Sequence, residues 1–191
     1  MDSGPRSQTM AQLDLIPGEP PVPGDLTALV DSLGYLRYTP LRIVRRDREG
    51  RPRVVLSFFT LPPRAHAVTI NLFWITDPEL RAGVARLEAA GLSLELKRRL
   101  QSDAALLERF LADQRAYHDL AWRLFCEVLH EEPPRPYPFG VGGVRALDQI
   151  KCLHAHLAFH LATGRSWVGA EVAQRLADLI TLPAAEQVPT P

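Results

Sequence analysis

The sequence predicts an α+β fold in which a small three-stranded antiparallel sheet is followed by a bundle of four to five helices. Two observations predict it. Segments rich in β-branched and aromatic residues occupy the first half of the chain, and turn-forming residues separate two of them, which is typical of a hairpin. After residue 77 the apolar residues recur at helical spacing instead. A doubly wound fold would alternate strands with helices, so this order favours α+β.

A helix, a hairpin and a third strand are predicted first. Asp25 is a suitable N-cap for a short helix that ends near Gly34. Strands over residues 41–44 and 53–60 flank a turn that contains Gly, Pro and charged residues. A third strand is predicted over 66–75, where apolar and polar residues alternate as expected of a sheet with one buried face.

The remainder of the chain is predicted to be helical. Asp77 can cap a helix whose first position is Pro78, and Gly91 closes that helix. Amphipathic periodicity predicts the further helices over residues 93–100, 103–130, 147–163 and 168–180.

The chain has 191 residues and is predicted to form a single domain over residues 25–182. The flanking segments, 1–24 and 183–191, are rich in Pro and lack apolar periodicity, so both are predicted to be disordered tails. Lys and Arg total 22, and Asp and Glu total 22, so no net charge points to nucleic acid or to an anionic membrane. The overall composition excludes a collagen-like or a wholly disordered chain.

The cysteines indicate a reducing compartment. Cys126 and Cys152 are too few for a disulfide framework, and both lie in segments predicted to be helical. No apolar stretch is long enough for a signal-peptide core or a transmembrane helix. The sequence therefore predicts a cytoplasmic protein with no membrane partner.

Reactive side chains are densest in the predicted helix over 147–163. At about 100° per residue, Cys152, His156 and His160 fall on one helical face, whereas His154 points into an apolar stripe. A thiolate and imidazoles are the ligands that bind zinc or a similar divalent metal. Since Cys152 and His160 would lie roughly 12 Å apart along the axis, only adjacent pairs could share one ion.

Two alternatives to a metal site remain open. In the first, Cys152 and His154 are packed inside the protein and the other two histidines form a polar helix face. In the second, a cysteine and a histidine form a catalytic pair, although such pairs usually come from separate elements. The chain contains neither an HExxH nor a CxxC motif.

A glycine-rich turn precedes this helix and predicts an anion site. Backbone N–H groups at a helix N-terminus bind anions such as phosphate, and nearby cations would assist. The turn lacks the ending of a P-loop, and its glycines are equally explained by a tight connection between helices. The candidate anion-binding residues are Gly140, Gly142, Gly143, Arg145 and Lys151.

The segment from Gly140 onward reads GVGGVRALDQIKCLHAHLAFHLATG and carries a recognisable signature. It resembles the bacterial domain-of-unknown-function family 501, in which a Gly-rich turn precedes a Lys-Cys-Leu-His-Ala-His helix. The segment NLFWITDPELRAGVARLEAAGL is similar to that family's strand, which ends in Thr-Cys-Pro before a helix. Residues 47–52 are similar to its Cys-x-x-Gly-x-Pro turn, so the resemblance covers about residues 40–170.

The resemblance implies a ligand set and brings no established activity. Two positions that are commonly cysteine in the family would be Asp47 and Asp77 here, and the family's Asn-Pro-x-Gly turn reads Ser166-Trp-Val-Gly169. The resemblance thus implies either a harder metal site of Asp47, Asp77, Cys152 and one of His154 and His156, or the loss of that site. An iron–sulfur cluster is disfavoured, because such clusters take cysteine ligands.

Two classes of function follow. As an enzyme, the protein would use a metal-activated water for hydrolysis, with Arg145 and Lys151 binding an anionic substrate. As a non-enzymatic interaction or scaffold protein, it would present a helical surface to a protein partner or to a second copy of itself. An exposed apolar patch on the long helix, without a concave site near His156, would favour the scaffold.

Overall fold

The computed structural model of the chain describes residues 18–34, 39–58, 71–124 and 140–177. Three strands and six helices occupy these residues, so the α+β prediction is confirmed, and five of the helices follow the sheet, within the predicted four to five. In chain order they are α1 (Pro23–Leu33), β1 (Thr39–Arg46), β2 (Pro52–Phe58), β3 (Phe73–Ile75), α2 (Pro78–Ala89), α3 (Leu92–Ser102), α4 (Ala104–Arg123), α5 (Leu153–Thr163) and α6 (Trp167–Ala177).

The sheet is antiparallel with the order β1-β2-β3. The predicted hairpin is confirmed, and Asp47 closes its turn by accepting hydrogen bonds from the backbone N–H groups of Glu49 and Arg51. The third strand is shorter than predicted, since β3 begins only at Phe73. The first part of that predicted strand, and the end of the second, lie outside the described residues.

Local capping explains where the first helices begin. Asp77 caps α2 as predicted, because its carboxylate accepts from the N–H groups of Glu79 and Leu80. The predicted start of α1 was three residues late: the N-cap is Val22, and Asp25 in the first turn accepts from the Val22 N–H. Glu19, which the sequence assigned to a tail, pairs with Ile43 of β1.

The sheet separates two apolar clusters. On one face, Leu29 of α1 packs with Ile43 and Val55 in a small cluster. On the other face, the sheet joins the helices in the main core, where Tyr117 and Phe159 meet edge to face. The Tyr117 hydroxyl accepts a hydrogen bond from the Leu72 N–H at 2.8 Å, which ties α4 to the start of β3.

Helix α5 lies at the centre of the main core, against β3, α2 and α6. It begins at Leu153 and not at residue 147 as predicted, because Cys152 has an extended backbone with φ −140° and ψ 111°. The apolar spacing of Leu147, Ile150 and Leu153 imitates a helix before the helix starts. Helix α4 ends at Arg123, and the rest of that predicted helix lies outside the described residues. In the part of the chain that the structure describes, no helix is both long and apolar enough to cross a membrane.

Candidate metal centre

Three side chains with metal-binding atoms meet where the end of α2 contacts the start of α5. They are Glu88, Cys152 and His154, and one ligand atom of each lies within 4.8 Å of the other two. Glu88 comes from the last turn of α2, Cys152 is the N-cap of α5, and His154 is in its first turn. Among the described residues, this is the one group of three or more such side chains with that spacing.

Hydrogen bonding fixes which nitrogen of His154 faces the cluster. His154 Nε2 lies 3.1 Å from the Arg81 carbonyl oxygen, and a carbonyl oxygen only accepts, so Nε2 carries the proton and donates. In the neutral ring the other nitrogen, Nδ1, then holds a lone pair. His154 Nδ1 lies 3.4 Å from Glu88 Oε2. The cluster therefore contains an imidazole already oriented as a ligand.

The surroundings of His154 favour its protonated form. A hydrogen bond with Cys152 is the main cause that raises the pKa of His154, and the Arg81 carbonyl and the Glu88 charge act in the same direction against desolvation. The side chains of His154 and Glu88 are 30% and 33% exposed, so water and ions can reach them. A cation approaching the cluster would find two potential anions and a lone pair, at the cost of displacing any proton on His154.

Glu88 also occupies the helix N-terminus at which an external anion was predicted to bind. Its Oε1 accepts from the Leu153 N–H at 2.8 Å, so the N-terminus of α5 is bound by a carboxylate of the protein itself. The glycine turn lies farther back along the chain, because the helix begins at Leu153.

The N–H groups of the glycine turn are largely engaged within the protein. Gly140 donates to the Val144 carbonyl at 2.8 Å, and Gly143 donates to that of Gly140 at 3.0 Å. The Val141 N–H donates to Gln114 Oε1 at 2.7 Å. Arg145 and Lys151 are exposed. Anion binding at this turn stays a prediction, and these contacts give the glycines a structural task.

The structure inverts the predicted faces of α5. His156 is 1% exposed, its Nδ1 lies 3.0 Å from Ser166 Oγ, and its ring packs near Phe110. His160 Nδ1 donates to the Arg165 carbonyl at the other end of the helix. Cys152 lies before the first helical residue, so the helical spacing that placed it with His156 and His160 does not apply. It meets His154, which was expected in an apolar stripe.

Burial changes the protonation of the two inner histidines. Loss of hydration lowers the pKa of His156 to about 3 and also lowers the pKa of His160. His156 Nε2 is buried and has no hydrogen-bond partner among the residues that the structure describes. Neither residue shares the cluster of Glu88, Cys152 and His154. Of the predicted ligands on α5, the structure thus brings His154 to Cys152 and leaves the other two histidines elsewhere.

Asp47 and Asp77 lie together in a separate cleft of 810 Å³, between the hairpin turn, α1 and the start of α2. Asp77 Oδ2 is 2.9 Å from Arg53 Nε, and Asp47 Oδ2 accepts from Arg51 Nε at 2.7 Å. Desolvation works against the Arg51 hydrogen bond, and the balance lowers the pKa of Asp47. Cys152 does not line this cleft, and both carboxylates are occupied by backbone N–H groups and arginines. Asp77 caps α2, and Asp47 closes the hairpin turn.

Sequence reasoning missed Glu88. Nothing in its neighbourhood marks it as a ligand, since it lies in an amphipathic helix among other charged residues. Helix α2 lies more than sixty positions before Cys152 in the chain, and only the packing of α2 against α5 joins them. The Cys152-x-His154 spacing could have been found, had the helix been predicted to start after the cysteine.

Comparison with known proteins places the chain in a family. No curated protein and no solved structure matches it. A family model described as a protein of unknown function, DUF501, matches residues 43–174, which include all three side chains of the cluster. This match confirms the resemblance seen in the sequence. Since it covers more than half of the residues, the chain belongs to the DUF501 family.

Proposed function

We propose that this protein binds a divalent metal ion of the zinc class through Glu88, Cys152 and His154. The observation that carries the proposal is the orientation of His154. The Arg81 carbonyl holds Nε2–H, so the lone pair of Nδ1 is directed to the side of Glu88 Oε2 and the Cys152 thiol. Histidine ligands in metal sites commonly donate their second N–H to a carbonyl oxygen or a carboxylate in this way.

The ligand chemistry suits zinc. A thiolate, an imidazole and a carboxylate are all ligands of Zn²⁺, and the two anions among them would balance its charge. The ligand atoms lie within 4.8 Å of one another. Tetrahedral coordination at the usual bond lengths places neighbouring ligands roughly 3.5 Å apart, so small side-chain rotations suffice.

Partial exposure of the cluster supports a site that is open on one side. Three protein ligands leave one coordination position for water or a substrate, as in catalytic zinc sites. Cys152 is a free cysteine, consistent with the reducing, cytoplasmic compartment that we propose for the protein.

The metal site is favoured over the two other predictions. The glycine turn uses its N–H groups for internal hydrogen bonds, and the α5 N-terminus holds Glu88, which weakens the case for an anion. An apolar patch on the long helix would favour the scaffold function. Among the described residues, the exposed large apolar side chains lie at the N-cap of α1, on α1 and on α3: Val22, Leu26, Val30 and Leu94.

Metal content and cobalt spectroscopy test the proposal. The full chain, reduced and purified without chelator, should hold about one zinc per chain and should take up Co²⁺ with a thiolate-to-metal charge-transfer band. Cys152→Ala should abolish that band. His154→Ala and Glu88→Gln should lower the affinity by at least about 100-fold, since even outer partners of metal ligands contribute 10–100-fold.

Two matched variants control for loss of charge or of an imidazole elsewhere. His118→Ala removes a histidine on α4, and Glu79→Gln removes an exposed acid on α2. Both should bind metal like the parent chain. If the reduced parent takes up neither Zn²⁺ nor Co²⁺ after reloading, or if the control variants lose metal as the ligand variants do, the proposal is wrong.

A further inference from the structure

We infer that Gln114 is a positioning residue that acts on Cys152 through the glycine turn. The inference rests on the proposed metal site, because it assigns to the turn the task of holding one of that site's ligands. Three contacts carry it, from α4 to the turn, within the turn, and from the turn to the cysteine.

The first contact fixes the turn to α4. Gln114 is completely buried, and its Oε1 accepts from the Val141 N–H at 2.7 Å. Gly140 provides the room for this oxygen, since a Cβ at that position would overlap Gln114 Oε1. Burying a polar side chain completely is costly unless the side chain is hydrogen-bonded, and the acceptor oxygen of Gln114 is bonded to the backbone of the turn.

The second contact is the hydrogen bonding of the turn itself. The Gly140–Val144 and Gly143–Gly140 backbone hydrogen bonds close it on both sides of Val141. Gly142 and Gly143 both have positive φ, 78° and 73°, which other residues rarely adopt. A turn closed in this way behaves as one unit, so that a change at Val141 is passed on to Gly142.

The third contact reaches the ligand. A Cβ on Gly142 would lie 3.3 Å from Cys152 Cβ and 3.5 Å from Cys152 N, so the turn backs directly onto the cysteine. Cys152 is the N-cap of α5 but makes no side-chain capping hydrogen bond. Packing against Gly142 therefore holds the cysteine in addition to its hydrogen bond with His154, and so contributes to where the thiol lies relative to His154 and Glu88.

The test compares Gln114→Leu, which removes the acceptor, with Gln114→Glu, which keeps one. Gly142→Ala places a methyl group against Cys152 and also strains the turn, because φ is 78° at this position, and Gln101→Leu removes an exposed glutamine on α3 as a control. Two readouts are made on folded full-length protein. One is Co²⁺ affinity together with the intensity of the charge-transfer band. The other is the rate at which iodoacetamide alkylates Cys152 in the metal-free chain, followed on its peptide by mass spectrometry.

We expect Gln114→Leu and Gly142→Ala to lower Co²⁺ affinity about tenfold, to change the charge-transfer band and to change the alkylation rate several-fold. In folded protein, Gln114→Glu should keep the parent's cobalt affinity and alkylation rate, because burial holds the new carboxyl neutral and its carbonyl oxygen can still accept from the Val141 N–H. Gln101→Leu should behave like the parent. A parent-like spectrum and alkylation rate in folded Gln114→Leu overturn the inference and leave the metal site intact. If the parent binds no cobalt while the alkylation rates still change, the metal proposal falls and the positioning role stands.

Discussion

Helix α5 carries two histidines, one at its outer edge and one in the interior, whose exposure, neighbours and pKa values differ. His154, at the edge, is 30% exposed, lies near a carboxylate and has a raised pKa. His156, two residues later, is 1% exposed, lies beside Ser166 and has a pKa lowered to about 3. The residue type is the same, and its neighbours decide whether it is available to a ligand.

This comparison teaches what makes a histidine fit for metal binding in this fold. His154 has access to water, a second nitrogen held by a carbonyl and two other ligand groups nearby. His156 has a hydrogen bond on one nitrogen, while the other is enclosed by the core. The first arrangement is expected to exchange a proton for a metal, and the second to resist any charge.

The strongest test of the comparison is the pH dependence of stability. An ordinary histidine has a pKa of 6.5 and that of His156 is about 3, so the unfolded chain takes up a proton first as the pH falls. The free energy of unfolding should therefore decrease below pH 6.5, by roughly 2–3 kcal/mol at pH 4.5 and roughly 4 kcal/mol by pH 3. Urea unfolding of the parent and of His156→Gln at pH 7.0, 5.5 and 4.5 measures it.

The difference between the pH profiles of the parent and His156→Gln gives the contribution of this histidine to the free energy of unfolding. The carboxylates contribute mainly at lower pH and equally in both proteins. His156→Gln should be less stable than the parent at pH 7 and lose less stability on acidification. Parallel pH profiles for the two proteins would contradict the burial of His156.

A smaller effect is expected from the partner of His156. Ser166 Oγ caps α6 by accepting from the Gly169 N–H at 3.0 Å, and it also bonds the ring of His156. Ser166→Ala should cost about 1–3 kcal/mol at pH 7, because it removes a cap and leaves buried polar groups unpaired.

Thermal or urea unfolding measures this cost against Ser102→Ala, an exposed serine near the end of α3 that should change stability by less than about 0.5 kcal/mol. Ser166 has φ 78°, so Ser166→Gly should lose less than Ser166→Ala. Equal stability of Ser166→Ala and the parent would show that the interior pair contributes nothing.

The smallest effect is expected at the edge of α5. Glu88→Gln removes a charge that raises the pKa of His154 while keeping an oxygen for the Leu153 N–H. The pKa of His154 should therefore decrease, and the stability should change by less than about 1 kcal/mol. NMR titration of the imidazole signals in the metal-free chain measures the pKa, with Glu79→Gln as the control.

The sign of the His154 effect is opposite to that of His156. A raised pKa adds stability that is complete below about pH 6.5 and is lost as the pH rises through the folded-state value. An unchanged His154 pKa in Glu88→Gln would show that the Glu88 charge does not act on the ring, and would contradict the contrast drawn between His154 and His156.

Most of the fold was predictable because its signals are local. Asp77 and Pro78 mark a helix start wherever they occur before an amphipathic segment, and the hairpin follows from its turn residues. The start of α5 was not predictable in this way. Apolar spacing runs through the preceding segment, and the group that binds the Leu153 N–H is Glu88 of another helix. Capping by a distant residue leaves no local pattern.

The sequence by itself determined the α+β class, the hairpin, the capped start of α2 and the family signature around Cys152, because these depend on neighbours along the chain. Tertiary structure alone decided which ionisable groups meet. It brought Glu88 to Cys152 and His154, and it buried His156. It also paired Asp47 and Asp77 with arginines. The physical reason is that desolvation and charge pairing depend on distance in space, which helical periodicity does not encode once the chain leaves the helix.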